Sequence, residues 1–136
     1  MLNHDELTGL GYFEMFPESD KPITVMGMVK QFAEKTEQTP DPALYFRLIQ
    51  EEFNEFLRST ILEDPSADQL KELADLIYVC YGYANARGWK INDAVKRVHE
   101  NNLGRCIQPD GTVKRREDGK IMKNPDYPKV NLGDCL

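Results

Sequence analysis

The chain is poor in the residues that usually build transition-metal, disulfide and nucleic-acid sites. Its 136 residues hold two histidines, His4 and His99, and neither stands in a spaced cluster. That scarcity leaves no His-based ligand set, and a lone helical histidine such as His99 reads as a surface or packing residue. The three cysteines, Cys80, Cys106 and Cys135, are odd in number and lack metal-ligand spacing. They fit a reducing cytoplasm better than a disulfide framework. Cys80, within the apolar run LIYVCYGYA, reads as a core residue. Basic residues are outnumbered 17 to 23 by acids, giving a net charge of −6. Such a balance argues against general binding to nucleic-acid polymers, whose phosphates are held by an excess of Lys and Arg. No apolar run approaches the roughly 18 residues of a membrane span, and no charged-then-apolar leader opens the chain, so the expected location is the cytoplasm.

What the chain does have is a hydrophobic share of 40 %, enough for one domain with a real core if several helices pack together. Residues 1–22, with Gly9, Gly11, Pro17 and Pro22, show no sustained period and read as an arm of loop and at most a short helical turn. Over 23–105 the apolar residues recur at helical spacing. A first helix is predicted over 24–37, with Val25, Met28, Val29 and Phe32 as its stripe, ended by TPDP at 39–42. A second is predicted over 41–58, with Asp41 as N-cap and Pro42 at its first position. A third covers 68–87 and is closed by Gly88. A fourth covers 92–102, capped by Asn92, with Val95 and Val98 packing inward and Gly104 ending it. Short connections between four helices predict an all-α four-helix bundle. Over 106–136 the period changes, and PDGTVKRREDGKIMK predicts a β-hairpin with strands at 112–115 and 120–123 around Glu117, Asp118 and Gly119. The last segment, NPDYPKVNLGDCL, is too irregular for a helix and should lie over another surface.

Two pairs of acids carry the chemistry. Glu52 and Glu55 on the second helix, and Glu72 and Asp75 on the third, are each spaced three apart. Residues so spaced lie about 60° from each other around a helix axis, so both acids of a pair point the same way. The first pair shares its stripe with Leu48, Ile49 and Phe56, and the second is embedded in LKELADLIYVCYGYA. One such pair usually marks a solvated face, but that explanation would have to fail twice here. Like charges at 4 Å repel by roughly 4 kcal/mol at an effective dielectric near 20, and a divalent cation relieves that cost. Carboxylates without His or Cys are hard oxygen donors suited to Mg²⁺, with Mn²⁺ as a substitute. Lys114, Arg115, Arg116, Lys120 and Lys123 form a local basic excess in the expected hairpin. They read either as a solvated surface or as a flap whose cations, Lys120 and Lys123 among them, approach a polyphosphate at the metal site.

The order EEFNE at 51–55, then ELAD at 72–75, resembles the signature of MazG-like nucleoside triphosphate pyrophosphohydrolases. That all-α superfamily also includes phosphoribosyl-ATP pyrophosphohydrolases. FAEKTEQTPD, NNLGR and DGKIMKNPDYPKVNL resemble short, phage-type members, and the likeness covers about residues 25–132. The resemblance implies Mg²⁺-dependent hydrolysis of a nucleoside triphosphate between its α and β phosphates, with a lean toward dGTP or dCTP, in a homodimer or homotetramer. It implies Glu52, Glu55, Glu72 and Asp75 as metal ligands, with Glu51 binding a further ion or orienting water; Glu51 can equally form a helical ion pair with Arg47. Asn101 and Arg105 match positions that face sugar or phosphate, and Arg97 lies one turn earlier. Tyr78 either projects from the metal region or packs in the core. Phe32 and Gln38 are the candidates for a base pocket. Phosphoribosyl-ATP hydrolysis and a catalytically silent helical interaction module are the other readings.

Overall fold

The computed structural model describes residues 24–136; the amino-terminal arm and His4 lie outside the described residues. The chain divides into two compact units, one ending at Trp89 and the other spanning Lys90–Leu136. The fold is all-α, with four α-helices and no sheet among the described residues.

Helix α1, Val25–Lys35, starts where Thr24 Oγ1 accepts a hydrogen bond from the Gly27 amide at 3.0 Å. This satisfies one of the donors that a helix start leaves open. Its buried face is Met26, Gly27, Val29 and Ala33, so the inward stripe is turned from the expected one and Phe32 is left 48 % exposed. Helix α2, Pro42–Ile61, has the expected start: Asp41 Oδ1 accepts from the Ala43 amide at 3.0 Å and proline occupies the first turn. It continues past Arg58 to Ile61, then returns through a short connection in which Glu63 takes a positive φ of 53°. Helix α3, Ser66–Arg87, is closed by Gly88 at φ 72°, a left-handed conformation that costs least without a side chain.

Helix α3 packs along both α1 and α2. The buried core of this unit is Met26, Val29, Ala33, Tyr45, Val79 and Ala84. Tyr45 buries its hydroxyl end by donating to Gln38 Oε1 at 2.7 Å. Cys80 is exposed, against expectation, on the helical face it shares with the exposed Leu73 and Ile77. Past the helix end, the guanidinium of Arg87 lies 5.6 Å from the Tyr83 ring centre and 5.5 Å from that of Trp89.

In the second unit helix α4, Ile91–Cys106, begins one residue before the expected cap Asn92 and runs through Gly104 rather than ending there. Val95 and Val98 are exposed, at 50 % and 39 %, because within this unit the terminal segment covers a different side of α4. That segment runs back along the helix. Asn124 donates its amide to the Arg105 carbonyl at 2.8 Å, Tyr127 fills the space beside Gly104, and Asn101 Nδ2 donates to the Pro128 carbonyl at 3.0 Å. Arg97 grips the Asp134 carboxylate with both terminal nitrogens, and the Lys90 amide donates to the Cys135 carbonyl at 2.7 Å. A short 3-10 helix, Gly133–Cys135, ends the chain against α4 with Cys135 buried. The irregular tail thus does lie over another surface.

The expected hairpin strands do not form. Only the single bridges Ile107 to Val113 and Arg115 to Ile121 are present, each closing an Asp-Gly turn. In both turns the Asp carboxylate accepts the amide two residues on, Thr112 for Asp110 and Lys120 for Asp118, and the Gly stands at φ 82° or 86°. Two side-chain-held turns placed so closely leave too few consecutive pairs for a ladder.

Candidate metal centre

Helices α2 and α3 run antiparallel and bring the acid pairs together. Glu52, Glu55 and Glu72 each offer a carboxylate oxygen within 4.8 Å of the others. Glu52 and Glu72 are half-buried and Glu55 is exposed, so the group opens to solvent on one side. Glu52 Oε2 and Glu72 Oε2 are buried atoms without a hydrogen-bond partner. A buried carboxylate oxygen without a donor bears the full cost of its lost hydration. Burial pushes the Glu52 carboxyl above its usual value, and the neighbouring charges of Glu55, Asp75 and Glu72 add to that rise.

Asp75, the fourth expected acid, is near enough to act on Glu52 but is held by Lys71, whose Nζ lies 2.7 Å from Asp75 Oδ2 and 3.7 Å from Glu72 Oε1. The sequence reading passed over Lys71. Its position four residues before Asp75 was the available signal, since residues at that spacing meet on a helix surface. Glu51 is exposed, and among the described residues it forms no ion pair with Arg47.

This donor set fits a hard divalent cation: oxygen ligands only, clustered like charge, and two buried oxygens lacking any donor. No transition-metal set of His and Cys is assembled among the described residues.

The other expected site residues fall into two groups. In the first unit Phe32 and Tyr78 meet edge to face, ring centres 6.0 Å apart at 83°, while Gln38 is occupied by the Tyr45 hydroxyl. In the second unit Arg97 and Asn101 are engaged by the tail, as described above. Arg105 is half-buried and its Nε has no partner. Lys120 is exposed beside the Asp118 turn. Lys123 and Lys114 line one cavity of about 150 Å³ together with Gln108 and Asn124.

No helix among the described residues is long and apolar enough to cross a membrane. No curated protein matches the chain. The sequence model of the phosphoribosyl-ATP pyrophosphohydrolase family, however, matches residues 27–102, a stretch that includes the whole acid cluster and more than half of the chain. MazG-like pyrophosphohydrolases, the superfamily to which it belongs, usually use divalent metals, in keeping with the oxygen-only cluster. The chain is therefore a member of the phosphoribosyl-ATP pyrophosphohydrolase family, within the all-α MazG-like NTP pyrophosphatase superfamily.

Proposed function

We propose that this protein hydrolyses nucleoside triphosphates, in the presence of Mg²⁺, to a nucleoside monophosphate and pyrophosphate. The observation that carries the reading is the clustering of Glu52 and Glu55 of α2 with Glu72 of α3, in which one buried oxygen each of Glu52 and Glu72 lacks a hydrogen-bond donor. Glu52, Glu55 and Glu72, joined by Asp75, would hold the cation, with Mn²⁺ as a substitute. Bound there, a divalent cation would supply charge neutralisation for the phosphates and a lowered pKa for a bound water. Glu51, exposed one residue before Glu52, would bind a further ion or orient water. Phe32 and Tyr78 offer ring surface for a base.

Phosphoribosyl-ATP is the second substrate reading, favoured by the family match itself. Both substrates present the same anhydride, so the metal centre does not choose between them. The apolar side chains that α2 and α3 leave exposed, among them Phe53, Leu57, Leu73 and Ile77, support assembly into a homodimer or homotetramer.

The test is a screen of the eight common nucleoside triphosphates beside phosphoribosyl-ATP for release of pyrophosphate. Turnover of at least one nucleoside triphosphate, abolished in a folded Glu55→Gln variant, is expected, with dGTP and dCTP the first substrates to examine. Turnover of phosphoribosyl-ATP alone would move the assignment to the second reading. No turnover of any substrate would leave a silent helical module.

A further inference from the structure

Three of the four clustered acids lie close enough to share one ion, and the fourth is already taken. Glu52, Glu55 and Glu72 form the close set, whereas Asp75 is ion-paired to Lys71 at 2.7 Å. The same ammonium stands 3.7 Å from Glu72, so it borders the cluster on the α3 side. Its side chain is 65 % exposed. Packing therefore does not fix it, and the acids it faces set its position.

We propose that Lys71 is a displaceable counter-ion of the metal centre: it occupies Asp75 in the cation-free protein, and a divalent cation must exchange with it to gain Asp75 as a ligand. The proposal rests on the metal-centre reading above. Its physical basis is competition. A monovalent ammonium on a flexible stem relieves part of the repulsion among four acids but leaves the buried oxygens of Glu52 and Glu72 without a donor. A divalent ion offers twice the charge and several coordination positions, so it displaces Lys71, while monovalent ions gain nothing by the exchange. Lys71 thereby raises the cation concentration needed to fill the site without blocking it. Exposed ion pairs are weak, and the competition is expected to change affinity by about two- to fivefold.

The test is calorimetric titration of Mn²⁺ into the full chain, free of nucleotide, for the wild type, Lys71→Met, Lys71→Arg, Asp75→Asn and the double variant Lys71→Met/Asp75→Asn. Lys71→Met is expected to bind Mn²⁺ about two- to fivefold more tightly than the wild type, and Lys71→Arg to stay near it. In the Asp75→Asn background the gain from Lys71→Met should largely vanish, because the contact through which Lys71 competes is gone. The wild-type difference should also shrink as salt is raised. An equal gain in both backgrounds would show only the general field of a nearby positive charge and would overturn the proposal, as would unchanged or weaker binding in Lys71→Met. Should the wild type take up no more Mn²⁺ than Glu52→Gln/Asp75→Asn, the metal-centre reading itself falls and this proposal falls with it. Far-ultraviolet circular dichroism of each variant establishes that the helices are retained.

Discussion

The ring of Tyr45 on α2 fills the space that a side chain at Gly82 on α3 would need: a methyl group there would overlap the ring carbons. The contact lets the two helices that carry the acids approach closely, two turns from Glu52 along α2. Tyr45 cannot easily retreat, since it is 5 % exposed and its hydroxyl is bonded to Gln38. Gly82→Ala should therefore lower stability by about 1 to 3 kcal/mol through overpacking, despite the better helix propensity of alanine. Tyr45→Phe, which keeps the ring and loses one hydrogen bond, should cost about 1 kcal/mol. Urea denaturation reads both, and a Gly82→Ala protein as stable as the wild type would contradict the close approach.

The acid cluster predicts an unusual pH dependence. The Glu52 carboxyl is raised above 4.5 in the folded, cation-free protein by burial, then by Glu55, Asp75 and Glu72. A carboxyl with a raised folded pKa binds more protons folded than unfolded, so stability falls as pH rises from 4.5 through the folded value and stays lower above it. In metal-free buffer the melting temperature should decline as pH rises above 4.5 through the raised folded value of Glu52. Glu52→Gln should flatten that decline. Identical slopes in the two proteins would show that Glu52 is not the group responsible.

Asp134 behaves in the opposite sense. The Arg97 guanidinium holds its carboxyl below the usual 3.8, so whatever the pair contributes is present above that value and lost as pH falls below it. Because the tail reaches α4 partly through this pair, Asp134→Asn should loosen the last residues and uncover Cys135, which is 3 % exposed. Alkylation mapped by mass spectrometry should show faster modification of Cys135 in the variant, with Cys80 unchanged. An unaltered Cys135 rate would mean that the remaining contacts, among them the Lys90 amide and the Asn101 side chain, suffice to hold the tail.

The helices were legible in the sequence because their signals are local. Asp41 and Pro42 mark the start of α2, and Gly88 marks the end of α3. The meeting of the acid pairs could be read as well, since three-residue spacing within apolar stripes fixes which way the side chains point. What failed depended on partners distant in sequence. Gly104 looks like a helix terminator until Tyr127, 23 residues on, is seen to need its space. Cys80, Val95 and Val98 are apolar or near-apolar residues on helices, and composition does not say which face stays uncovered within the chain. The hairpin failed for a local reason: Asp110 and Asp118 each bond their own turn, and that chemistry outcompetes a ladder.

Mg²⁺-induced thermal stabilisation tests most directly whether the clustered carboxylates form a cation site. Binding at 100-fold over Kd contributes about 2.7 kcal/mol when only the folded state binds. Melting temperature should rise by several degrees with Mg²⁺ in the wild type and scarcely move in Glu52→Gln/Asp75→Asn. The comparison is of the Mg²⁺-induced shifts, because removing like charges stabilises the metal-free variant in its own right. Equal shifts in the two proteins would contradict the account.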